Sequence, residues 1–408
     1  MTRISFLIWT TAACLVLPAR GQETGSREAR WGQDLDFFAE AVKRTHPDPF
    51  TKLSRTDFDQ SIEQLKRQAS QLQDYQILGA INNITARMGD SHTSMNPFAT
   101  GQVLSYPLQL RWFSDGFYAV AGGGAAVPAL GKKLVSIDGR SAAEVFDRIK
   151  TMFPFENQYW PLIRGAEYLS GAEILHNAGI SQERSSAVFE FEGNLKIALR
   201  STSVESFSFP RKARPRPPLY QQHQNLYYWF EYLTDAKVLY VKYNVCAEDP
   251  TLPASDFGRQ IVEFMKGKPL DKVVIDLRNN SGGDSRVLAR WIEPLEEAFR
   301  AGTLTPSGGA YAIISRQTFS SGMLAAMDLK QLGTVLVGEP LGGIPNGFGD
   351  VRIFNLPNAG WRFQVSTKTF RFPAYDNADT VKPDILVDFG IQDYAEQVDS
   401  YLEAVLKQ

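Results

Sequence analysis

Two residue types that build covalent and metal centres are scarce in this chain: 408 residues contain two cysteines and four histidines. There is no HExxH, no paired cysteines and no histidine cluster, so the sequence offers no metal site and calls for no cofactor. A surplus of charge is missing too. With 43 basic residues against 45 acidic ones, nothing favours a general attraction to nucleic acid. Long apolar runs are confined to the start, where Arg3 precedes Ile4–Leu17 and Ala19-Arg20-Gly21 forms a small-x-small site. This reads as a secretory signal over residues 1–21, since the run is short for a bilayer span of about 20 residues. Export to the periplasm or cell exterior is therefore expected, with no membrane span in the mature chain. Lipid attachment at Cys14 is the weaker reading, because Leu15-Val16-Leu17 follows it. Removal of the leader leaves Cys246 as the sole cysteine, which excludes an intrachain disulfide.

What is present is ordinary globular composition, 43% hydrophobic and 22% charged, with length for more than one core. Residues 22–100 read as a helical region. Trp31, Leu35, Phe38 and Val42 recur at helical spacing, Pro47 and Pro49 interrupt, and a helix over Tyr75–Met88 ends in the polar turn Gly89-Asp90-Ser91-His92-Thr93. Residues 101–153 change to strand periodicity, and Leu130–Gly139 gives a strand and turn typical of PDZ-like modules. Residues 154–235 combine helical, aromatic-rich sequence with a hairpin over Ala187–Leu199. They end in the proline-rich basic stretch 210–218, an exposed connection. From residue 236 onward strands and helices alternate, which predicts an α/β domain with a largely parallel sheet.

Two turns of that last region hold the chemistry. Lys272–Asp284 (KVVIDLRNNSGGD) is a buried strand leading into a sharp turn through Gly282 and Gly283. Further on, Tyr311–Ile314 leads to Thr318-Phe319-Ser320-Ser321 at the mouth of a helix. A hydroxyl there lies at the positive end of a helix dipole. Taken alone, Ser320 is no more than a helix cap.

The DLRNN-x-GG and TFS-x-G turns, in this order, resemble the C-terminal processing (tail-specific) peptidases and the tricorn core protease. The likeness extends to the HPDPF break near His46, the GDSHT turn, LGKKLVSIDG, VGEPLGGIPNGFGD and the closing VKPDI. It implies an α/β fold with a ClpP/crotonase-like core, an N-terminal helical part and a PDZ-like insert. It also implies a serine peptidase acting on polypeptides, among them unfolded chains and C-terminal tails. Ser320 matches the nucleophile. The lysine base of many members has no counterpart, since Lys330 is the only lysine between Ser321 and Gly347, and Lys368 is a distant substitute. The tricorn-like branch instead uses a histidine preceded by a serine, which Ser91-His92 matches; His46, His176 and His223 read as structural. The near-neutral pKa of imidazole suits a base that takes the hydroxyl proton and returns it to the leaving amine. The acid of that branch corresponds to Asp376, with Asp379 as the alternative. Gly282, Gly283 and the Ser321 amide match the donors that hold the oxyanion.

Two other readings use the same residues. One is a non-catalytic binder of peptide or apolar ligand on this scaffold; the other is an esterase or amidase for small molecules. Retention of Ser320, the double glycine and Ser91-His92 together argues for the peptidase.

Overall fold

The computed structural model of the protein describes residues 25–203 and 217–408. The expected leader over residues 1–21 and most of the proline-rich stretch 210–218 lie outside the described residues. A six-stranded sheet forms the second half. Its order is Ile385–Leu386, Val335–Gly338, Gly309–Ile314, Lys272–Asp276, Val238–Tyr243, Tyr228–Leu233. All neighbours are parallel except the last, an antiparallel edge strand. Every residue of Val238–Tyr243 and Lys272–Asp276 is buried, as strands covered on both faces require.

Alternation by two divides this sheet between two cores. Leu239, Val241, Val273, Ile275, Ala312 and Ile314 pack with the helices Ala254–Met265, Arg286–Arg300 and Ser321–Gln331. Val238, Tyr240, Val274, Tyr311 and Ile313 face the other way, onto Phe113, Phe389 and the C-terminal helix Ser400–Leu406. The strands thus end together at one rim, where the turns after Asp276 and Ile314 lie side by side.

The first half begins with helices Arg27–Thr45, Arg55–Gln68 and Asp74–Met88. Ser26 and Ser54 cap the first two by accepting the Ala29 and Asp57 amides. Gly89, at φ 68°, stops the third in a left-handed conformation that glycine adopts without strain, and the chain then turns through Asp90, Ser91 and His92. Immediately afterwards Ser94–Met95 pairs antiparallel with Arg362–Phe370, itself hairpinned to Gly347–Asn355. This small sheet carries the early turn to the late half of the chain.

The expected module over 101–153 does not close within those bounds. Leu134–Ile137 pairs with Arg140–Ser141 on one side and with Ser186–Phe191 on the other, and Leu195–Arg200 completes a four-stranded antiparallel sheet. The hairpin expected over 187–199 is therefore half of that sheet. Its side chains Phe189 and Phe191 share one core with Phe38, Ile81 and Val145, so the helical region and the β module are packed as one body.

Helices Ala254–Met265 and Arg286–Arg300 cross at Gly258, where a Cβ would lie 2.3 Å from the Trp291 carbonyl oxygen. Alanine would gain about 1 kcal/mol in helix propensity, but forcing the helices apart costs about 1–3 kcal/mol. Gly258→Ala is expected to lower the urea midpoint; an unchanged or raised midpoint would contradict the close crossing.

Candidate active site

Ser320 stands where the strand Gly309–Ile314 has ended and the helix Ser321–Gln331 begins, with φ 52° and ψ −127°. A serine pays for that backbone conformation with strain of about 1–3 kcal/mol, and such residues cluster at functional sites. Surrounding bonds impose it. Thr318 donates its hydroxyl to the Leu277 carbonyl at 2.9 Å, and the Phe319 amide donates to the Asn280 carbonyl at 3.0 Å. Ser321 Oγ donates to the Gly283 carbonyl at 2.7 Å. The two turns singled out from the sequence are thus bonded to each other.

Asn280 organises the glycine turn. Its Nδ2 donates to the Tyr243 carbonyl at 3.0 Å, and its Oδ1 accepts the Gly282 amide at 2.9 Å. Cys246 adds a parallel bridge, giving its amide to the Gly282 carbonyl and accepting the Asp284 amide. Gly282 must be glycine, since a Cβ would stand 2.7 Å from Ser320 Cβ and 2.8 Å from the Ser321 nitrogen. These bonds correct one expectation: the Gly282 N–H is already spent on Asn280, so it is no oxyanion donor. No acceptor among the described residues takes the Gly283 or Ser321 amides.

Beneath this turn, Asp276 accepts from the Arg278 amide and guanidinium and from the Tyr240 hydroxyl, and Lys242 Nζ lies 3.6 Å away. Burial opposes ionisation of Asp276, but Arg278 and Lys242 outweigh it and hold the carboxyl at about 2. Lys242 is a wholly buried amine lowered to about 8 by desolvation. Its protons go to the Asp276 and Arg278 carbonyls rather than to Ser320. The other lysines weighed from the sequence also look elsewhere, Lys330 to Asp384 and Lys368 to Asp350.

His92 comes to the same place. Its ring stacks on Phe319, the residue before Ser320, with centroids 4.7 Å apart and planes at 22°. Trp160 stacks on Phe319 as well, at 4.1 Å and 14°. Both ring nitrogens of His92 are buried without a hydrogen-bond partner, so neither is bonded to Ser320 Oγ. Burial lowers its pKa below the ordinary 6.5, with Asp90 and the Phe348 backbone pulling partly the other way, which keeps the imidazole neutral at pH 7.

Two carboxylates hold the His92 turn. Asp90 accepts the His92 amide at 3.0 Å, and also His46 Nε2 at 3.0 Å and Ser366 Oγ at 2.7 Å. Burial opposes its charge, yet the His46 bond above all, with Ser366 assisting, holds it at about 2. Glu156, which sequence reasoning missed, accepts the Ser91 amide at 2.8 Å and also the Ser91 hydroxyl. Only its place beside Asn157 and Trp160 marks it. Asn157 Nδ2 reaches the Leu341, Gly343 and Asp379 carbonyls, so residues 156–160 touch the Ser91 turn, Phe319 and the 341–343 loop. Asp90, His92 and Glu156 offer ligand atoms within 4.8 Å of one another, the one such trio among the described residues. Both carboxylates already serve as hydrogen-bond acceptors, so the trio reads as a bonded network. Asp376, expected as the acid, is exposed and bonded to Asn346 at 3.2 Å. It stands outside this network because the 3₁₀ turn Pro373–Tyr375 delivers it to the surface. The side chain of Asp379 is exposed as well, near Lys382.

No family model and no curated protein sequence matches the chain. Among solved structures it is similar to mature CPAF complexed with lactacystin, at 13% identity over 93% of this chain and 97% of that one, with a TM-score of 0.61. It is similar also to a serine-to-alanine mutant of CPAF, at 12% identity over 93% and 96%, with a TM-score of 0.60. At these identities the likeness is one of fold, and the chain shares that of CPAF over nearly its whole length.

The folded pKa of Asp276 lies below its unfolded 3.8, so its stabilisation is complete above about pH 4 and is lost as pH falls through 2. Asp276→Asn leaves Arg278 and Lys242 buried with less compensation and is expected to cost about 3–5 kcal/mol at pH 7. Urea unfolding at pH 7 and pH 3 checks this. The variant should lose less stability on acidification than the parent; equal losses would contradict the assignment.

Proposed function

We propose that the protein is an exported serine peptidase of the C-terminal processing family, in the branch whose base is histidine. One observation carries this reading: Ser320 is held at a strained strand-to-helix turn, and a buried imidazole whose ring nitrogens make no hydrogen bond is stacked against the residue before it. The fold shared with CPAF supports it. In this account Ser320 Oγ attacks the carbonyl carbon of a peptide bond, and His92 takes the hydroxyl proton. The Gly283 and Ser321 amides receive the negative oxygen. Collapse of the tetrahedral intermediate expels the amine, which leaves with the proton from His92. Water then repeats the sequence on the acyl-enzyme, with His92 again as base.

Hydrogen bonds of this kind are often unformed before substrate arrives, which accommodates the open Ser320–His92 pair. Ser91 holds the His92 turn rather than reacting. The substrate class is polypeptide, among it unfolded chains and C-terminal tails, and a binder without turnover is the alternative.

A serine-directed fluorophosphonate is expected to label the mature protein at Ser320, located by peptide mass spectrometry. Ser320→Ala should abolish labelling, and His92→Ala should slow both labelling and hydrolysis of an unfolded protein by about 10³-fold or more. Asp376→Asn should change either rate less than about twofold, as an exposed charge would. A folded protein that neither labels nor cleaves would overturn the peptidase reading and leave the binder.

A further inference from the structure

We infer that Glu156 is a positioning residue for the base, fixing the Ser91-His92 turn by a two-pronged carboxylate contact and setting the electrostatics of the imidazole. This rests on the reading of His92 as base and deepens it. The acid expected late in the chain is exposed and bonded elsewhere, whereas Glu156 meets Ser91 through both the amide and the hydroxyl. Two acceptors on one rigid carboxylate leave the turn no freedom to rotate. Asp90 clamps the next amide, that of His92, from the other side.

The segment that bears Glu156 makes this placement specific to the site. Asn157 accepts the Tyr159 and Trp160 amides at 3.0 Å each, which curls residues 157–160 into a tight turn. Trp160 then covers Phe319, the ring on which His92 is stacked. One short strap therefore grips the base through Glu156 and the nucleophile turn through Trp160.

The charged groups facing Glu156 are Asp90 and His92 from the turn after the third helix and Lys52 from the turn after the first. Burial, and then the Asp90 charge, push the Glu156 carboxyl up to about 7, while the Ser91 bonds and Lys52 draw it down in part. Above pH 7 a second negative charge thus joins Asp90 within 4.8 Å of the imidazole, where it favours the imidazolium that forms when His92 accepts a proton. Below pH 7 that help is withdrawn. The folded pKa is higher than the unfolded 4.5, so stability from the neutral form is present below about 4.5 and is lost as pH rises through 7.

The test compares the full chain with Glu156→Gln, Glu156→Asp and Ser91→Ala from pH 5 to 9. It measures Ser320 phosphonate labelling, hydrolysis of an unfolded protein, thermal midpoint, and the His92 ring C2–H resonance by NMR, assigned with His92→Ala. Glu156→Gln is expected to lose about 10- to 100-fold in rate at pH 8. It should also lose the limb of the rate profile near pH 7, with no fall in its thermal midpoint at that pH. Glu156→Asp should restore part of the rate, and Ser91→Ala should move the limb upward by removing the hydroxyl bond that favours the charged form while leaving the amide bond in place. Rates and profile within twofold of the parent in Glu156→Gln would overturn the inference. The resonance decides independently of turnover: an inflection near pH 7 in the parent that is lost in Glu156→Gln supports the inference, and identical titrations overturn it. If the parent is inactive but that inflection is present, the peptidase reading fails and the Glu156–His92 coupling stands.

Discussion

The stacking of His92 on Phe319 is the contact on which the functional geometry depends. Ring stacking is worth about 0.5–1.5 kcal/mol beyond the area it buries, small against the stability of a chain this long. Its value lies in what it joins. His92 leaves the third helix and Ser320 opens a helix of the second half, so the pair is separated by most of the fold. Three elements press them together: the strand pairing of Ser94–Met95 with Arg362–Phe370, the Asn157 bonds to the 341–343 loop, and Trp160 over Phe319.

A second constraint is the pair of buried carboxylates under the two turns. Asp276 holds Arg278 and Tyr240 beneath the glycine turn, and Asp90 holds His46 and Ser366 beneath the His92 turn. Each is ionised because several donors converge on it, and each gives its turn a rigid floor. A strained Ser320 persists only above such a floor, since its backbone would otherwise relax into the helix.

Much of this was legible in the sequence because it is local. The run Val273–Ile275 with its two glycines reads as a buried strand and turn, and the structure has both. The helix after Ser320 and the polar turn at Gly89 were equally readable. What could not be read depends on pairing between distant segments. Leu134–Ile137 takes Ser186–Phe191 as a neighbour, which no periodicity within 101–153 announces. Glu156 belongs to no motif, and its meaning comes only from its meeting with Ser91. Asp376 was placed by resemblance, and the 3₁₀ turn before it sends it to solvent. The Gly282 amide reads as free in the motif, and only the folded Asn280 side chain takes it.

The central claim, that Ser320, His92 and two backbone amides form one reacting centre, is tested most directly by a crystal structure of the phosphonate-treated protein. The account predicts phosphorus bonded to Ser320 Oγ. It places one phosphoryl oxygen within hydrogen-bond distance of the Gly283 and Ser321 amides and a ring nitrogen of His92 beside the adduct. An adduct oxygen facing solvent, or an imidazole turned away from it, would contradict the claim.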